Sequence, residues 1–466
     1  FMDLLTQLIG SANDFLWTYV LIIMLLGCAF WFSFKTKFVQ VRMLKEMIRL
    51  LSDSSGYKSG EKHVSSFQAF AISLASRVGT GNLAGVATAI TVGGPGAVFW
   101  MWIIALLGAS SAFIESTLAQ LYKVRGKDAF IGGPAYYMEK GLKKRWMGVI
   151  FAVLITITFG FAFNSVQSNI ICAAFDGAFS IPPVWTGAVL TVATLIIIFG
   201  GIQRIAKVSG FIVPVMALGY ILLALYIVLA NIIHLPDVIM HIVTHAMGWE
   251  QALGGSIGAA LTQGIKRGLF SNEAGMGSAP NAAATASVTH PVKQGLIQTL
   301  GVFTDTLIIC TCTAFIILFS ETHLGGTLDG VKLTQAALNS EIGSAGSYYV
   351  AIAIFFFAFS SILGNYYYGE ANLQFITRKQ WVIPVYRILV TAMVLFGSLA
   401  SLKLVWGMAD IMMALMSICN LIAIVLLGKY AIRLLDDYRS QKQAGIKNPV
   451  FRKEQMKDIE EDIECW

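Results

Sequence analysis

Residues 66–92 read SFQAFAISLASRVGTGNLAGVATAITV. The stretch is long and apolar enough to cross a bilayer, yet Gly79-Thr80-Gly81-Asn82 stands at its centre. Glycine costs about 1 kcal/mol against alanine inside a helix, and asparagine competes for backbone hydrogen bonds. In hydrocarbon each unpaired backbone group costs several kcal/mol more. A helix broken at membrane depth therefore persists only where protein, water or a ligand meets the freed groups. Transporters use such breaks: the positive end of a half-helix faces a substrate carboxylate, and unwound carbonyls hold a cation. A glycine-kinked packing helix, whose small residues let neighbours approach, is the plainer alternative.

A second interruption follows the same plan. Residues 256–288 approach as an apolar run, break at Phe270-Ser271-Asn272-Glu273-Ala274-Gly275-Met276-Gly277-Ser278, and leave through small residues. Two glycine-interrupted spans at matching places in two halves are the strongest pointer a sequence gives to a transport site. Composition agrees. The chain of 466 residues is 56% hydrophobic and only 13% charged. A soluble domain carries roughly twice that charge. The net charge of +7 reflects basic loops that set orientation, not affinity for nucleic acid. Six scattered cysteines show no metal or disulfide spacing, and Cys310 and Cys312 read as packing residues. No cleavable leader is expected, because the opening residues lack a basic start.

Eleven spans of adequate length are expected, near 15–34, 66–92, 97–122, 147–175, 183–200, 208–230, 251–288, 295–319, 347–375, 382–399 and 404–427. A basic amphipathic segment with Lys35, Lys37, Arg42, Lys45 and Arg49 follows the first span and should lie on the lipid surface. Nearly all Lys and Arg fall after odd-numbered spans and in the tail, Lys332 and Lys403 excepted. The N-terminus is therefore expected outside and the C-terminus inside. The broken spans are the second and the seventh, five apart, so they run in opposite directions. That predicts an all-α polytopic membrane protein with two five-helix inverted repeats behind one extra N-terminal helix. The expected units are 1–62, a helix and basic segment; 63–235 and 236–428, the repeats; and 429–466, a solvated or disordered tail. The loop holding His234, His241 and His245 is expected to be solvated.

The runs Arg77 to Ala89, Gly93-Gly94-Pro95-Gly96-Ala97, Lys266 to Pro280 and Ser361 to Glu370 resemble the alanine/glycine:cation symporter family over nearly the whole chain. The resemblance implies a leucine-transporter-like fold in a bacterial cytoplasmic membrane. It also implies inward transport of a small neutral amino acid together with sodium. No nucleic-acid partner and no obligate protein partner are implied, only membrane lipids and the solute.

An amino-acid zwitterion needs N–H groups for its carboxylate and oxygens for its ammonium. Thr80, Gly81 and Asn82 in the first break suit the carboxylate, because glycine allows close backbone approach. Phe270, Ser271 and Asn272 in the second break can offer oxygens to the ammonium. The resemblance adds Gln167, which alternatively makes a plain interhelical hydrogen bond. It also implies a sodium site of Ala75 and Val78 carbonyls with the Ser360 and Ser361 hydroxyls, where helix packing is the alternative. Asn365, one helical turn after Ser361, stands where the family's alanine-transporting pattern often has tryptophan. That exchange makes glutamine a rival to alanine or glycine. Arg77 is expected to pair with Glu273 or Asp305, as a gate or as a static brace. The same acids keep proton-coupled transport open as an alternative. No phosphate-binding loop and no nucleophile–base motif is present, so neither ATP-driven transport nor an enzyme is expected.

Overall fold

Hydrocarbon offers no partner to a free N–H or C=O, so the apolar runs must close their hydrogen bonds within helices. The computed structural model describes residues 10–53, 56, 64–126, 129–248 and 257–466. Helix α1 (Gly10–Lys35) leads into two short helices, α2 (Val39–Arg42) and α3 (Leu44–Leu50). The first interrupted span is α4 (Ser66–Arg77) and α5 (Gly81–Gly93). Ser65 starts α4 with a reciprocal capping box: its hydroxyl accepts from Gln68 N–H, and the Gln68 side chain accepts from Ser65 N–H. Then come α6 (Gly96–Leu121), a two-strand ribbon of β1 (Val124–Arg125) and β2 (Phe130–Ile131), and α7 (Pro134–Lys140). Helices α8 (Arg145–Phe179), α9 (Pro183–Ile198), α10 (Gly201–Ala230) and α11 (Leu235–Ala246) follow.

The second interrupted span is α12 (Ile257–Asn272) and α13 (Ala279–Ala283). The chain continues through α14 (Pro291–Ser320), α15 (Gly330–Ile342), α16 (Ala345–Ile376), α17 (Val382–Leu399) and α18 (Leu402–Gln443). Among the described residues eight helices are long and apolar enough to cross a membrane, and two further apolar helices are shorter. On α10, Phe211, Val215, Leu218, Leu222, Leu225 and Leu229 are exposed at three- and four-residue spacing, which marks a lipid-facing stripe. The broken spans, by contrast, are buried by α6, α14 and α16.

Several expectations change. Residues 235–246 and 330–342, read as loops, are helices, because Pro236 sits in a first turn and Asp329 caps Gly330 N–H. His245 is buried beneath Gly94 rather than solvated. The half-helix after the second break has only five residues, since the run beyond Ala283 turns to bridge Val64 with Ala286. The expected start of that span, residues 251–256, lies outside the described residues, as does Lys127 of the basic loop after the third expected span. The tail is not loose. Phe451, Met456, Ile459 and Ile463 are buried, and Phe451 N–H donates to the Thr289 carbonyl. The Trp466 indole donates to the Gln120 carbonyl, 2.9 Å away, beneath the Lys123 ammonium.

Glu46 fastens α3 to α18. It accepts from Arg49 at 2.7 and 2.8 Å and from the Tyr438 hydroxyl at 2.6 Å. Burial works against its ionisation. The hydrogen bonds from Arg49 and Tyr438, with the charges of Arg49 and Lys442, prevail and hold its carboxyl down at about 2. A depressed carboxyl contributes stability above its ordinary value, and that contribution is lost as pH falls through the folded value. Glu46→Gln should therefore lower the thermal midpoint at neutral pH, with the gap closing as pH falls from 4.5 towards 2. A gap that stays constant over that range would refute this role.

Candidate substrate and sodium site

Both breaks meet at one buried place. Thr80, Gly81, Asn82, Gln167, Phe270, Ser271, Asn272 and Asn365 are all buried, so the site is closed to solvent on every side. The first break opens where Val78 turns to φ −78, ψ 94. The second uses left-handed backbone at Glu273, Gly275 and Gly277, with φ of 58, 83 and 88. Glycine takes that conformation without strain, whereas Glu273 must be held in it. The elements around the breaks are locally π-wound: Gly81–Gly85 in α5, Thr158–Phe163 in α8 and Phe303–Cys310 in α14. Such turns displace side chains from the regular helical face and cluster at functional sites.

The freed backbone groups are met by side chains. Gly79 N–H donates to Asn82 Oδ1 at 2.9 Å, and Thr80 N–H donates to Gln167 Oε1 at 3.1 Å. Gln167 is thus seated on the N-terminal side of α5, where helix geometry favours an anion. Two polar groups here, Thr80 Oγ1 and Asn272 Nδ2, have no hydrogen-bond partner among the described residues. A Cβ on Gly79 would overlap Ser361 Oγ and Gln167 Oε1, so the backbone must come this close. Phe270 supplies an aromatic wall, 4.4 Å from Phe163 and 4.6 Å from Trp406 between ring centroids.

Asp305 ties the breaks together. Its Oδ1 accepts from Asn82 Nδ2 at 2.7 Å, and its Oδ2 accepts from Ser271 Oγ at 2.7 Å and Thr306 Oγ1 at 2.9 Å. Cys310, read as a packing residue, reaches the same cluster, 3.3 Å from Asn82 Nδ2 and 3.2 Å from Ser271 Oγ. The expected pairing of Arg77 with Glu273 or Asp305 is not made in this conformation. Asp305 already has amide and hydroxyl partners and Glu273 two hydroxyl partners, and the Arg77 guanidinium turns to the Gln298 carbonyl at 3.1 Å. The close ion pair at the site joins Arg267 to Asp410 at 2.7 Å, with the guanidinium over the Trp406 ring.

The oxygens expected to hold sodium also converge. Ser361 Oγ lies 2.8 Å from the Ala75 carbonyl, 3.3 Å from that of Val78 and 3.1 Å from that of Phe357. Hard oxygen donors of this kind suit an alkali cation. Ser360 Oγ bonds its own helix, at the same Phe357 carbonyl, 2.8 Å away. No side-chain pattern could have marked Phe357, because its contribution is a carbonyl.

A helical membrane protein with two broken spans, zwitterion-compatible polar groups at the breaks and an adjoining oxygen cluster is a secondary transporter. Comparison with known proteins names its kind. The model of the Sodium:alanine symporter family matches residues 2–453, and the chain belongs to that family. It is 55% identical over 464 residues to the probable sodium/glutamine symporter GlnT of Bacillus subtilis, covering 100% of this chain and 96% of that protein. It is 54% identical to the amino-acid carrier protein AlsT of the same organism, covering 99% and 97%. It is 37% identical to the sodium/alanine symporter AgcS of Methanococcus maripaludis, covering 95% and 99%. The crystal structure of MhsT in complex with L-phenylalanine shares the leucine-transporter-like fold, with TM-score 0.55, 13% identity, and coverage of 80% and 98%. The protein is accordingly a sodium-coupled amino-acid symporter of the membrane and not an enzyme.

Overfilling a packed site costs about 1–3 kcal/mol. Gly79→Ala should therefore lower sodium-driven uptake about 5- to 150-fold, and Gln167→Ala should abolish it, with both proteins still folded in the membrane. Wild-type uptake by both variants would remove these residues from the site.

Proposed function

We propose that the chain imports a small neutral amino acid, alanine or glycine, by alternating access, with the solute held between the two breaks. The single observation that carries this reading is the meeting of Thr80 N–H, Gln167, Asn82 and Ser271 at one closed, aromatic-walled place. The substrate carboxylate takes the N–H groups at the start of α5 that Gln167 now covers, and Gln167 turns its amide N–H groups to it. The ammonium faces the carbonyl end of α12 at Phe270, Ser271 and Asn272. Sodium takes the Ala75 and Val78 carbonyls with the Ser361 hydroxyl, and Ser360 completes the set by releasing its own helix. Binding of the ion fixes α4 against α16 and so orders the first break before the solute arrives.

The architecture we assign is eleven spans, with two inverted five-helix repeats over 63–235 and 236–428 behind one extra helix. The basic loops support an N-terminus outside and a C-terminal tail, 429–466, inside a bacterial cytoplasmic membrane. One sodium entering down a tenfold gradient and about 100 mV provides roughly 3.7 kcal/mol, enough for several-hundred-fold accumulation of a zwitterion.

Glutamine is a second reading, favoured by the buried Asn365 amide, bonded to Asn164 and one helical turn after Ser361, and by the resemblance to a probable sodium/glutamine symporter. Labelled alanine, glycine and glutamine presented to proteoliposomes with and without an inward sodium gradient separate the readings. Sodium-driven alanine or glycine uptake is expected. Glutamine uptake with little alanine transport would transfer specificity to Asn365, and uptake indifferent to sodium would overturn the cation site. Ser361→Ala should raise the sodium concentration for half-maximal uptake at least about tenfold, the loss of about 1.4 kcal/mol. An unchanged sodium curve would reject that ligand.

A further inference from the structure

Glu273 enters the centre of the molecule from the second break, 1% exposed and held at positive φ. Transport by the breaks does not require a carboxyl there. Its Oε2 accepts from the Ser278 hydroxyl at 2.5 Å. Its Oε1 lies 2.8 Å from Ser76 Oγ, and Ser76 Oγ lies 2.8 Å from Asn365 Oδ1 as well. A hydroxyl has one proton to give.

The orientation of the amides decides which oxygen receives it. Asn164 Nδ2 donates to the Gly160 carbonyl at 3.3 Å, a group that can only accept. Asn164 Oδ1 must then face Asn365, which donates to it from Nδ2 at 3.0 Å. Asn365 is left presenting Oδ1 to Ser76, so two oxygens, Asn365 Oδ1 and Glu273 Oε1, face the single Ser76 proton. Were Glu273 ionised, the Ser76 proton could serve only one of these two oxygens, and the other would meet Ser76 Oγ at hydrogen-bond distance with no proton between them. That contact is repulsive, and in a buried site nothing screens it.

We propose that Glu273 is a proton-binding site: it stands as a neutral carboxylic acid that donates from Oε1 to Ser76. The proton comes from water and returns to it, and no other bond changes. It completes a one-way chain from Ser278 through Glu273, Ser76 and Asn365 to Asn164 and the Gly160 carbonyl. The chain joins the second break to α4, α16 and α8. Loss of the proton leaves Ser76 with one proton for two acceptors, so its link to Glu273 or to Asn365 breaks and the chain between the second break and α16 is cut. The ionisable groups facing Glu273 from neighbouring elements are Arg77 on α4, Asp305 on α14 and Tyr368 on α16, and Glu115 of α6 accepts from Gly275 N–H two residues on. Arg77 makes no ion pair with Glu273, so an ionised carboxylate would have no direct counter-charge.

Only the consequence for uptake rests on the transport reading; the protonation does not. Infrared spectra of the purified protein in lipid test it without any transport. The wild type at neutral pH should show a protonated-carboxyl C=O band that Glu273→Gln lacks, and that fades as pH is raised. Wild-type and Glu273→Gln spectra that are identical in this region would overturn the proposal. Ser76→Ala keeps the acid but removes its acceptor, so it should move the same band to higher frequency; an unmoved band would overturn the link to Ser76. In proteoliposomes, wild-type uptake should fall several-fold from mildly acid to alkaline pH. Glu273→Gln, whose amide donates to Ser76 at every pH, should give a flatter profile relative to its own acid value. Equal profiles would overturn the coupling of this proton to transport.

Discussion

Asp305 is the contact on which the rest of the site depends. Two helices broken inside hydrocarbon leave backbone groups that lipid cannot serve, and separate repairs would leave two independent kinks. One carboxylate instead receives Asn82 from the first break and Ser271 from the second, each at 2.7 Å. The brace sets the distance between the breaks. Thr80 N–H is covered separately, by the Gln167 side-chain carbonyl. Among the described residues Thr80 Oγ1 and Asn272 Nδ2 find no hydrogen-bond partner beside the brace.

The surrounding packing explains how such a polar centre stays stable. Association of helices in lipid gains little from the hydrophobic effect and relies on close packing and interhelical hydrogen bonds. Both are concentrated here. Gly79 and Gly81 bring the first break against Ser361 and Ser271. The peptide of Gly275 is served at both ends, its N–H by Glu115 and its carbonyl by Asn420. Held in this way, the second break keeps its left-handed residues in register with the first. The C-terminal segment adds a connection at one end of the bundle. Trp466 reaches Gln120, whose amide donates to the Ala283 and Ala286 carbonyls where the second broken span ends.

Much of this is legible in the sequence, because the breaks violate helix propensity where a bilayer punishes the violation most. Thr80, Gly81 and Asn82 fall at the first break, and the Ser361 hydroxyl lies against the carbonyls of Ala75 and Val78. What stays hidden is partnership across the chain. Ser76 meets Glu273 and Asn365, 197 and 289 positions away, and no local pattern announces either contact. Arg77 is recognisable as a buried charge, but hydroxyl and amide partners reach the acids first, and that outcome depends on three-dimensional competition. The helices at 235–246 and 330–342 are polar enough to pass for loops, and their capping and buried faces emerge only from packing. The tail misleads for a similar reason: its charges mask the spacing of Phe451, Met456, Ile459 and Ile463, which are buried.

The central claim is that the two breaks form one binding site because Asp305 joins them. Equilibrium binding of labelled alanine to the purified protein in sodium, for the wild type and for Asp305→Ala, tests it most directly. The variant should remain folded yet bind alanine at least about tenfold more weakly, since removing a charge-assisted brace costs about 1.5–3 kcal/mol. Wild-type affinity in a folded Asp305→Ala protein would contradict the account.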